Sequence, residues 1–347
     1  MIQARTKLMV LWVASAVTPN FMIRSRIIGT GGYAPEQILT NDDLARRIET
    51  SDEWIRTRTG IRQRHIARDD EQTSDMAFEA SRRALEMAGK RPEDVDLIVV
   101  GTISPDMPMP SSATFLQAKL GARAPAFDVS AACAGSVYGL AVADKFVRCQ
   151  EAKCALVVGV EMLSRMLDWE DRNTCVLFGD AAGAMVIVPD DRPDHGILST
   201  HLHADGSLTD ILAIPGGGSR HPVNHDTVEK RLQFVKMNGR EVFKVAVRSL
   251  VAVAEESLEK NGLSTRDISW VVPHQANIRI VDAVPEKLGL SRDQAILNID
   301  RYGNTSSASV PITLDEGLRD GRIQEGDLVL MMAIGAGMTW GSAVVRW

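Results

Sequence analysis

The sequence is poor in cysteine and has no excess of positive charge. Its 347 residues include four cysteines, with neither a Cys-x-x-Cys pair nor a metal-like spacing relative to the seven histidines. We therefore expect no disulfide framework, no metal site and a reducing, cytoplasmic location. Acidic residues outnumber basic ones by 45 to 39, a net charge of −6. This balance argues against a general nucleic-acid or anionic-membrane binder, because such binding depends on clustered lysine and arginine.

The segment that precedes Met22 allows two interpretations. RTKLMVLWVASAVTPN (5–20) has a basic start, a short apolar run and the small residues Ala14-Ser15-Ala16, as in a secretory signal. The run is shorter than the roughly 20 apolar residues that a membrane-spanning helix needs. Alternatively, translation starts at Met22 and residues 1–21 are an upstream extension or a tail. We favour the second interpretation, because the low cysteine content of the remainder of the chain is typical of a reducing compartment.

An internal repeat spans half the molecule. LEMAGKRPEDVDLIVVG (85–101) aligns without gaps to LEKNGLSTRDISWVVPH (258–274), which lies half a chain length further on. Each copy predicts a helix that ends at its glycine, a polar turn and a buried strand. FGDAAGAMVIV (178–188) and WGSAVVRW (340–347) resemble each other as well. The repeat predicts an α/β fold of two similar halves, residues 22–193 and 194–347, with mostly parallel or mixed sheets and an approximate two-fold axis between them.

Cys133 has two interpretations. It follows the strand-like APAFDVS and opens the helix-like CAGSVYGLAVADKFV. It is either a small buried hydrophobe or a nucleophile at a helix start, where backbone N–H groups and the helix dipole favour an anion. In the second case its pKa is expected below the free value of about 8.5. The other three cysteines lack such a setting and are interpreted as structural.

Two polar residues in the second half match this setting. His274 ends the second strand of the repeat, after Pro273, at the edge where open α/β sheets carry ligand chemistry. Asn304 lies in the turn of IDRYGNTSSASVP, almost as far after Cys133 as the second copy of the repeat lies after the first. Taken singly, His274 fits a core histidine and Asn304 fits an ordinary turn residue. The repeat predicts that they converge on Cys133 between the halves.

A thiol nucleophile with two hydrogen-bonding partners suits acyl transfer, in which an oxyanion develops after thiolate attack. The loop IGAGMTWG (334–341) is rich in glycine, so that its backbone N–H groups can approach a substrate oxygen.

In these residues and motifs the sequence resembles the β-ketoacyl-acyl carrier protein synthase III family. Members of this family are initiating condensing enzymes of fatty acid synthesis and have a thiolase fold. The resemblance covers residues 22–347 and rests on ordered motifs: TSDEWIRTRTGI, DVSAACAGS, FGDAAGA, STHLHADGS, VPHQAN, GNTSSASVP and MTWGSA. It implies that Cys133 accepts an acyl group, acetyl first of all, from coenzyme A. His274 and Asn304 would then assist decarboxylation of malonyl-acyl carrier protein, and the resulting carbanion would attack the acyl-cysteine.

The resemblance also implies binding residues, a homodimer and the use of coenzyme A thioester as substrate without a cofactor. The oxyanion donors would be the backbone N–H groups of Cys133 and Ala336, the latter replacing the family's usual glycine. Coenzyme A would contact Trp54, Arg58, Arg172 and Arg240, where the family often has asparagine in place of Arg240. Met109 and Phe178 would shape the primer pocket, and the acidic carrier protein would dock on Lys244, Arg279 and Lys287.

Two alternatives keep the fold but change the function. One is a condensing enzyme of secondary metabolism or a thiolase-like enzyme that uses only coenzyme A esters. The other is an inactive partner subunit of a condensing heterodimer, which is disfavoured because such subunits typically lack the nucleophile. Elongating condensing enzymes are disfavoured too, because they pair cysteine with two histidines, whereas the third position here is Asn304.

Overall fold

The structure is a computed structural model that describes residues 23–347. The prediction for residues 1–21 lies outside this range. Within it, none of the helices is both long and apolar enough to cross a membrane.

The first half of the chain folds around a five-stranded sheet of order β1-β7-β6-β4-β5. Strands β4, β5 and β6 are parallel, whereas β7 runs antiparallel to β6 and β1 antiparallel to β7. The elements are β1 (Arg24–Tyr33), β2 (Gln37–Thr40), α1 (Asn41–Ala45), α2 (Asp52–Thr59), β3 (Gln63–Ile66), α3 (Thr73–Ala88), β4 (Leu97–Gly101), α4 (Ser112–Leu120), β5 (Ala126–Val129), α5 (Gly135–Arg148), β6 (Ala155–Glu161) and β7 (Ala181–Asp190).

The second half repeats this topology in a four-stranded sheet of order β8-β13-β12-β11. A parallel bridge from Val271 to Ala295 occupies the fifth place, as Ile98 pairs with Ala126 in the first half. The elements are β8 (Gly196–Ala204), β9 (Leu212–Ala213), α6 (His225–Glu229), β10 (Lys236–Met237), α7 (Gly239–Lys260), β11 (Trp270–Pro273), α8 (Ile278–Leu288), α9 (Ile299–Tyr302), α10 (Ser309–Arg319), β12 (Leu328–Gly335) and β13 (Thr339–Arg346). The predicted duplication and α/β class are confirmed.

The repeated unit has the predicted local structure in both copies. Helix α3 ends before Gly89, and α7 ends just before Gly262. Both glycines have left-handed backbone, with φ of 61° and 64°, which glycine adopts without the cost that a Cβ imposes. A short 3₁₀ turn then leads into β4 in one half and β11 in the other.

The core consists of alternating helix and sheet layers. Helices α5 and α10 lie between the two sheets, where Leu140 and Leu314 share one buried cluster with Val99 of β4 and Met331 of β12. Successive residues of a strand face opposite sides of a sheet. Ile98 therefore belongs to a different cluster, with residues of α3 on the outer face of the first sheet.

The helix α7 covers the outer face of the second sheet, where Leu250 clusters with Leu330 of β12. The predicted boundary between residues 193 and 194 lies in the connection from β7 to β8. Its exact place stays a prediction.

Candidate active site

Cys133 lies in a tight turn between β5 and α5. A 3₁₀ turn (Ala132–Ala134) runs directly into α5, and Ala132 has left-handed backbone with φ of 47°. The cysteine is 6% exposed. Gly335 lies against this turn, because a Cβ on it would lie 2.5 Å from the Cys133 backbone nitrogen. A side chain at position 335 would therefore collide with the backbone of this turn.

An equivalent turn begins α10 in the second half. Ser306 has φ of 48° and starts a 3₁₀ turn (Ser306–Ala308) that leads into α10. Ala132 and Ser306 are thus equivalent, which makes Ser307 the counterpart of Cys133. The repeat predicts Asn304 near Cys133, and not as its exact counterpart. Asn304 lies just before the second turn, which is consistent with this prediction.

Close backbone contacts hold the two turns together. A Cβ on Gly159 of β6 would lie 2.1 Å from the Ser307 carbonyl oxygen, and one on Gly101 of β4 would lie 2.5 Å from the Gly135 carbonyl carbon. Both approaches are possible only without a side chain. The glycines thereby bring the start of α10 against the start of α5.

His274 follows β11 and is buried, with 2% of its surface exposed. Its Nδ1 lies 2.6 Å from the Ser309 hydroxyl. This hydroxyl donates to the Ser306 carbonyl oxygen at 2.8 Å, which also accepts the Ser309 backbone N–H. A serine hydroxyl has one proton, so Nε2 carries the ring proton, as a donor to a ligand, when the hydroxyl turns from this carbonyl to donate to Nδ1. Burial lowers the pKa of His274 to about 3, so the ring is neutral at physiological pH.

Asn304 is fixed through its backbone and its amide oxygen. Its N–H donates to Leu177 O at 2.8 Å, and its carbonyl accepts from the Gly179 N–H at 3.0 Å. The side-chain Oδ1 accepts the Ser306 N–H at 2.9 Å. Because the oxygen is held in this way, the Nδ2 group is the one presented to a ligand.

A cavity of about 630 Å³ brings the three predicted residues together. Cys133, His274 and Asn304 all contribute to its wall, as does Phe178. Apolar side chains, among them Leu212, Ile334 and Met338, line much of the remainder. The arrangement suits a nucleophile and two hydrogen-bond donors acting on one bound group.

Burial changes the pKa of the Cys133 thiol more than the position of this residue at a helix start does. Desolvation is the main cause that raises its pKa to about 12; an interaction with the Ser306 side chain acts in the opposite direction, and the charge of Glu161 acts in the same direction as desolvation. The expectation of a pKa below the free value was therefore wrong for the ligand-free protein. The thiol of the ligand-free protein is therefore protonated at physiological pH and has to lose this proton to act as a nucleophile.

The mouth of the cavity is basic. The exposed side chains of Arg58, Arg240, Lys244 and Arg279 line it. Trp54 also lines it, and two guanidinium groups stack on its ring, Arg58 at 4.7 Å and Arg172 at 5.1 Å from the ring centroid. Cationic groups and an aromatic face of this kind fit a ligand with phosphates and a planar base.

Four predicted residues lie outside the cavity wall, and one of them, Arg172, is stacked on Trp54. Lys287 is exposed in the last turn of α8, and Met109 is 83% exposed. In a single chain Met109 therefore does not shape the pocket. Ala336 follows Gly335 and does not have a positive φ, so alanine is accommodated there without backbone strain. Its role as an oxyanion donor stays a prediction.

Sequence reasoning missed Glu161, Ser306 and Ser309. Glu161 is fully buried and accepts hydrogen bonds from Ser104 Oγ at 2.6 Å and Ser306 Oγ at 3.1 Å. The signal was present in ALVVGVE (155–161), where an acidic residue ends an apolar strand. Buried charges are rare and usually have a partner or a function.

Among residues 23–347 no group of three or more histidine, cysteine or acidic side chains is arranged to hold a metal ion.

Comparison with known proteins agrees with this geometry. Residues 127–206 match the family model for 3-oxoacyl-[acyl-carrier-protein] synthase III, and residues 258–347 match its C-terminal model. The β-ketoacyl-[acyl-carrier-protein] synthase III of Xanthomonas campestris is 55% identical over 94% of this chain and 99% of its own.

Solved structures give the same result. The 3-oxoacyl-[acyl-carrier-protein] synthase III of Aquifex aeolicus has a TM-score of 0.86 at 46% identity, over 93% of this chain and all of its own. The priming β-ketosynthase of the R1128 polyketide pathway has the same TM-score at 37% identity, over 93% of this chain and 96% of its own.

The fold and these matches define a condensing acyltransferase of the thiolase-like class. More narrowly, the chain belongs to the β-ketoacyl-[acyl-carrier-protein] synthase III family. The predicted family, fold class and initiating condensing function in fatty acid synthesis are confirmed.

Proposed function

We propose that this chain joins an acyl-coenzyme A primer, acetyl-coenzyme A first of all, to malonyl-acyl carrier protein, releasing carbon dioxide and a 3-ketoacyl-acyl carrier protein. The observation that carries the proposal is the single cavity shared by Cys133, His274 and Asn304 beneath a basic mouth. No cofactor or metal takes part in the proposed reaction.

Acylation comes first. The Cys133 sulfur attacks the thioester carbonyl, and the tetrahedral oxyanion accepts hydrogen bonds from backbone N–H groups. Cys133 and Ala336 are the proposed donors, and the contact between Gly335 and the Cys133 nitrogen supports this pairing. Coenzyme A then leaves as the thiolate, and the acyl group stays on the cysteine.

Condensation follows at the other side of the cavity. Loss of carbon dioxide from the malonyl group turns its thioester carbonyl into an enolate, whose oxygen carries the developing charge. Nε2–H of neutral His274 and Nδ2–H of Asn304 donate to this oxygen. The enolate carbon attacks the acyl-cysteine, and the Cys133 thiolate departs.

Trp54, Arg58, Arg172 and Arg240 are proposed to hold coenzyme A, with the adenine between Trp54 and Arg172. Arg172 already lies over the Trp54 ring and donates to Glu49 O at 2.9 Å, so it must move to admit a base. The two arginines on the ring support recognition of a planar group next to phosphates.

Replacing Trp54 by alanine is expected to raise KM for acetyl-coenzyme A about tenfold, the equivalent of ~1.4 kcal/mol of stacking. The turnover number should change little, because the ring is remote from the reacting atoms and contributes uniform binding. Steady-state kinetics measure both constants. An acyl-pantetheine thioester without the nucleotide is the control, and the variant should use it as well as the wild type does. An equal defect with both substrates would contradict adenine stacking.

The acyl carrier protein is proposed to dock at Lys244, Arg279 and Lys287. All three are exposed, and Lys244 and Arg279 lie at the cavity mouth. A local basic surface explains how a chain of net charge −6 attracts an acidic partner.

Reversing the charge at Arg279 to glutamate should raise KM for malonyl-acyl carrier protein roughly fivefold to tenfold, as expected for an interfacial charge pair. KM for acetyl-coenzyme A should change less than about twofold, and the difference should shrink in high salt. Arg82→Glu is the matched control, because Arg82 is exposed on α3, on the outer face of the first sheet. Equal affinity of the Arg279 variant and the wild type for the carrier protein would argue against this docking surface.

A homodimer is proposed through the open edge of the first sheet. Among the described strands, β5 pairs only with β4, and all four β5 residues are partly exposed. Exposed apolar side chains lie in this half of the chain as well, with Phe146 38%, Met107 44% and Met109 83% exposed. Open edges and apolar patches are typical of interfaces. Met109 would then reach the partner's primer pocket, and sedimentation velocity should give twice the chain mass.

The substrate test is turnover of malonyl-acyl carrier protein with a panel of acyl-coenzyme A primers. Acetyl-coenzyme A should give the highest kcat/KM if Phe178, which is 5% exposed in the cavity wall, shapes the primer pocket as proposed. Preference for a longer or aromatic primer would instead favour the alternative in secondary metabolism, which the likeness to the R1128 priming enzyme supports. A cytoplasmic location, where carrier protein and coenzyme A occur together, is part of the proposal.

A further inference from the structure

The buried Glu161 carboxylate lies behind the thiol and has no role in the chemistry described so far. It ends β6 and accepts hydrogen bonds from the Ser104 hydroxyl at 2.6 Å, the Ile103 N–H at 3.2 Å and the Thr102 hydroxyl at 3.3 Å. The fourth donor is the Ser306 hydroxyl at 3.1 Å. Within residues 23–347 these partners are all neutral. An acidic group buried without a cation is costly, and such groups are concentrated at functional sites.

Ser306 connects this carboxylate to the nucleophile. Its hydroxyl donates to Glu161 Oε1 at 3.1 Å, and a side-chain interaction with Ser306 lowers the pKa of the Cys133 thiol. Its backbone, at φ of 48°, is left-handed, a conformation that is unfavourable for a non-glycine residue. This conformation places the hydroxyl between sulfur and carboxylate while the N–H holds Asn304 Oδ1. Strain maintained at such a point indicates a function.

We propose that Ser306 and Glu161 form a relay that removes the Cys133 proton as the sulfur attacks the acyl thioester. This inference rests on the proposed function, because it assumes that Cys133 is acylated. The S–H bond breaks as the Ser306 oxygen takes its proton, and the serine's own proton passes to Glu161 Oε1. The sulfur electron pair forms the bond to the acyl carbon, and coenzyme A leaves as a thiolate that takes its proton from water.

The relay runs backwards in condensation. The enolate carbon attacks the acyl-cysteine, and the C–S bond breaks with its electron pair on sulfur. Glu161 returns its proton through Ser306 to this sulfur, which restores the thiol and the carboxylate. Over the whole cycle one proton is consumed, by the departing coenzyme A thiolate.

The neighbouring titratable groups favour Glu161 as the acceptor. Burial raises the pKa of the Glu161 carboxyl to about 7, closer to that of the thiol than the pKa of His274, which burial lowers to about 3. Asp180, which precedes the β7 residue paired with Glu161, already accepts hydrogen bonds from Ala67 and Ser164. The effective base is thus the carboxylate that Ser306 connects to the sulfur.

The test is the single-turnover rate of acylation by labelled acetyl-coenzyme A between pH 5.5 and 9. The wild-type rate should rise with pH and level off above an inflection near 7, because only ionised Glu161 accepts a proton. Glu161→Gln should acylate at least about 100-fold more slowly at pH 8 and lose this inflection, in line with the usual contribution of a general base. Ser306→Gly, which tolerates the positive φ, should show the same defect with Glu161 in place.

A variant that shifts the pKa of Glu161 in a predicted direction distinguishes a relay from a structural role. Ser104 donates to Glu161, and this hydrogen bond lowers the pKa of the carboxyl. Ser104→Ala should therefore move the inflection to higher pH while the plateau rate is kept. Ser307→Ala is the matched control, because Ser307 lies in the same turn, and its buried hydroxyl has no hydrogen-bond partner among the described residues. Its profile should match that of the wild type.

One outcome overturns the relay outright. If Glu161 only opposes the thiolate electrostatically, removing its charge lowers the thiol pKa, and Glu161→Gln will acylate as fast as the wild type or faster. In Glu161→Gln and Ser306→Gly the rate of malonyl-acyl carrier protein decarboxylation should fall much less than the rate of acylation. An equal loss of both rates would show that these residues have a merely structural role. Label absent from Cys133 in the wild type would instead overturn the proposed function, which keeps the two failures distinct.

Discussion

Cys133→Ala is expected to abolish transfer of the labelled acyl group to the protein and to lower condensation by about 10³-fold or more, as loss of a nucleophile usually does. The reason is chemical, because alanine offers no electron pair to the thioester carbon and no other described cysteine lines the cavity. Intact-protein mass spectrometry after incubation with acetyl-coenzyme A measures the adduct. The wild type should gain one acetyl group, and peptide mapping should place it on Cys133.

The matched control is Cys149→Ala. Cys149 caps the far end of α5, the helix that Cys133 precedes, and it is the one exposed thiol in residues 23–347. This variant should be acylated at the wild-type rate, which would exclude adventitious reaction of an accessible thiol. Persistence of the label in Cys133→Ala, or its loss in Cys149→Ala, would contradict the assignment of the nucleophile.

The architecture was predictable because the chain carries two copies of one unit. The match between residues 85–101 and 258–274 implied the same helix, turn and strand twice, and the two sheets have the same strand order. The fifth strand was not predictable in its second copy, where it is reduced to a bridge at Ala295. Such reduction depends on how neighbouring segments pack, which a single sequence does not encode in a local pattern.

The residues of the site were predictable, but the equivalence of residues between the two halves was not. Cys133, His274 and Asn304 were found from strand and helix ends, and they share one cavity. The equivalence of Ala132 and Ser306 became visible only through backbone angles, since both residues have positive φ without being glycine. Propensity rules assign such angles to glycine, so no local pattern indicated the two turns.

The thiol environment was mispredicted for a related reason. A position at a helix start implies a lowered pKa, but full burial and the nearby Glu161 act in the opposite direction and raise it to about 12. Burial depends on the second half of the chain closing over Cys133, including Gly335 against its backbone nitrogen. Long-range closure of this kind is not readable from the residues around the cysteine.

His274→Ala and Asn304→Ala are expected to separate the two halves of the reaction. Each removes one donor to the enolate oxygen, and the loss of such a donor typically lowers the rate about 10²–10³-fold, or ~2.7–4 kcal/mol. Decarboxylation of malonyl-acyl carrier protein should fall by this factor. Acylation of Cys133 should stay within a few-fold of the wild-type rate, because neither side chain is proposed to touch the primer carbonyl.

The control for His274 is its hydrogen-bond partner. Ser309→Ala removes the hydroxyl next to Nδ1 but leaves the ring, so no hydroxyl proton can turn to Nδ1 and favour the Nε2–H tautomer. Decarboxylation should then fall by less than in His274→Ala, and acylation should be unaffected. Because the ring is neutral above a pKa of about 3, decarboxylation by the wild type should show no inflection from His274 between pH 5 and 8. Equal loss of acylation and decarboxylation in His274→Ala, or a histidine inflection near pH 6.5, would refute the role of a neutral donor.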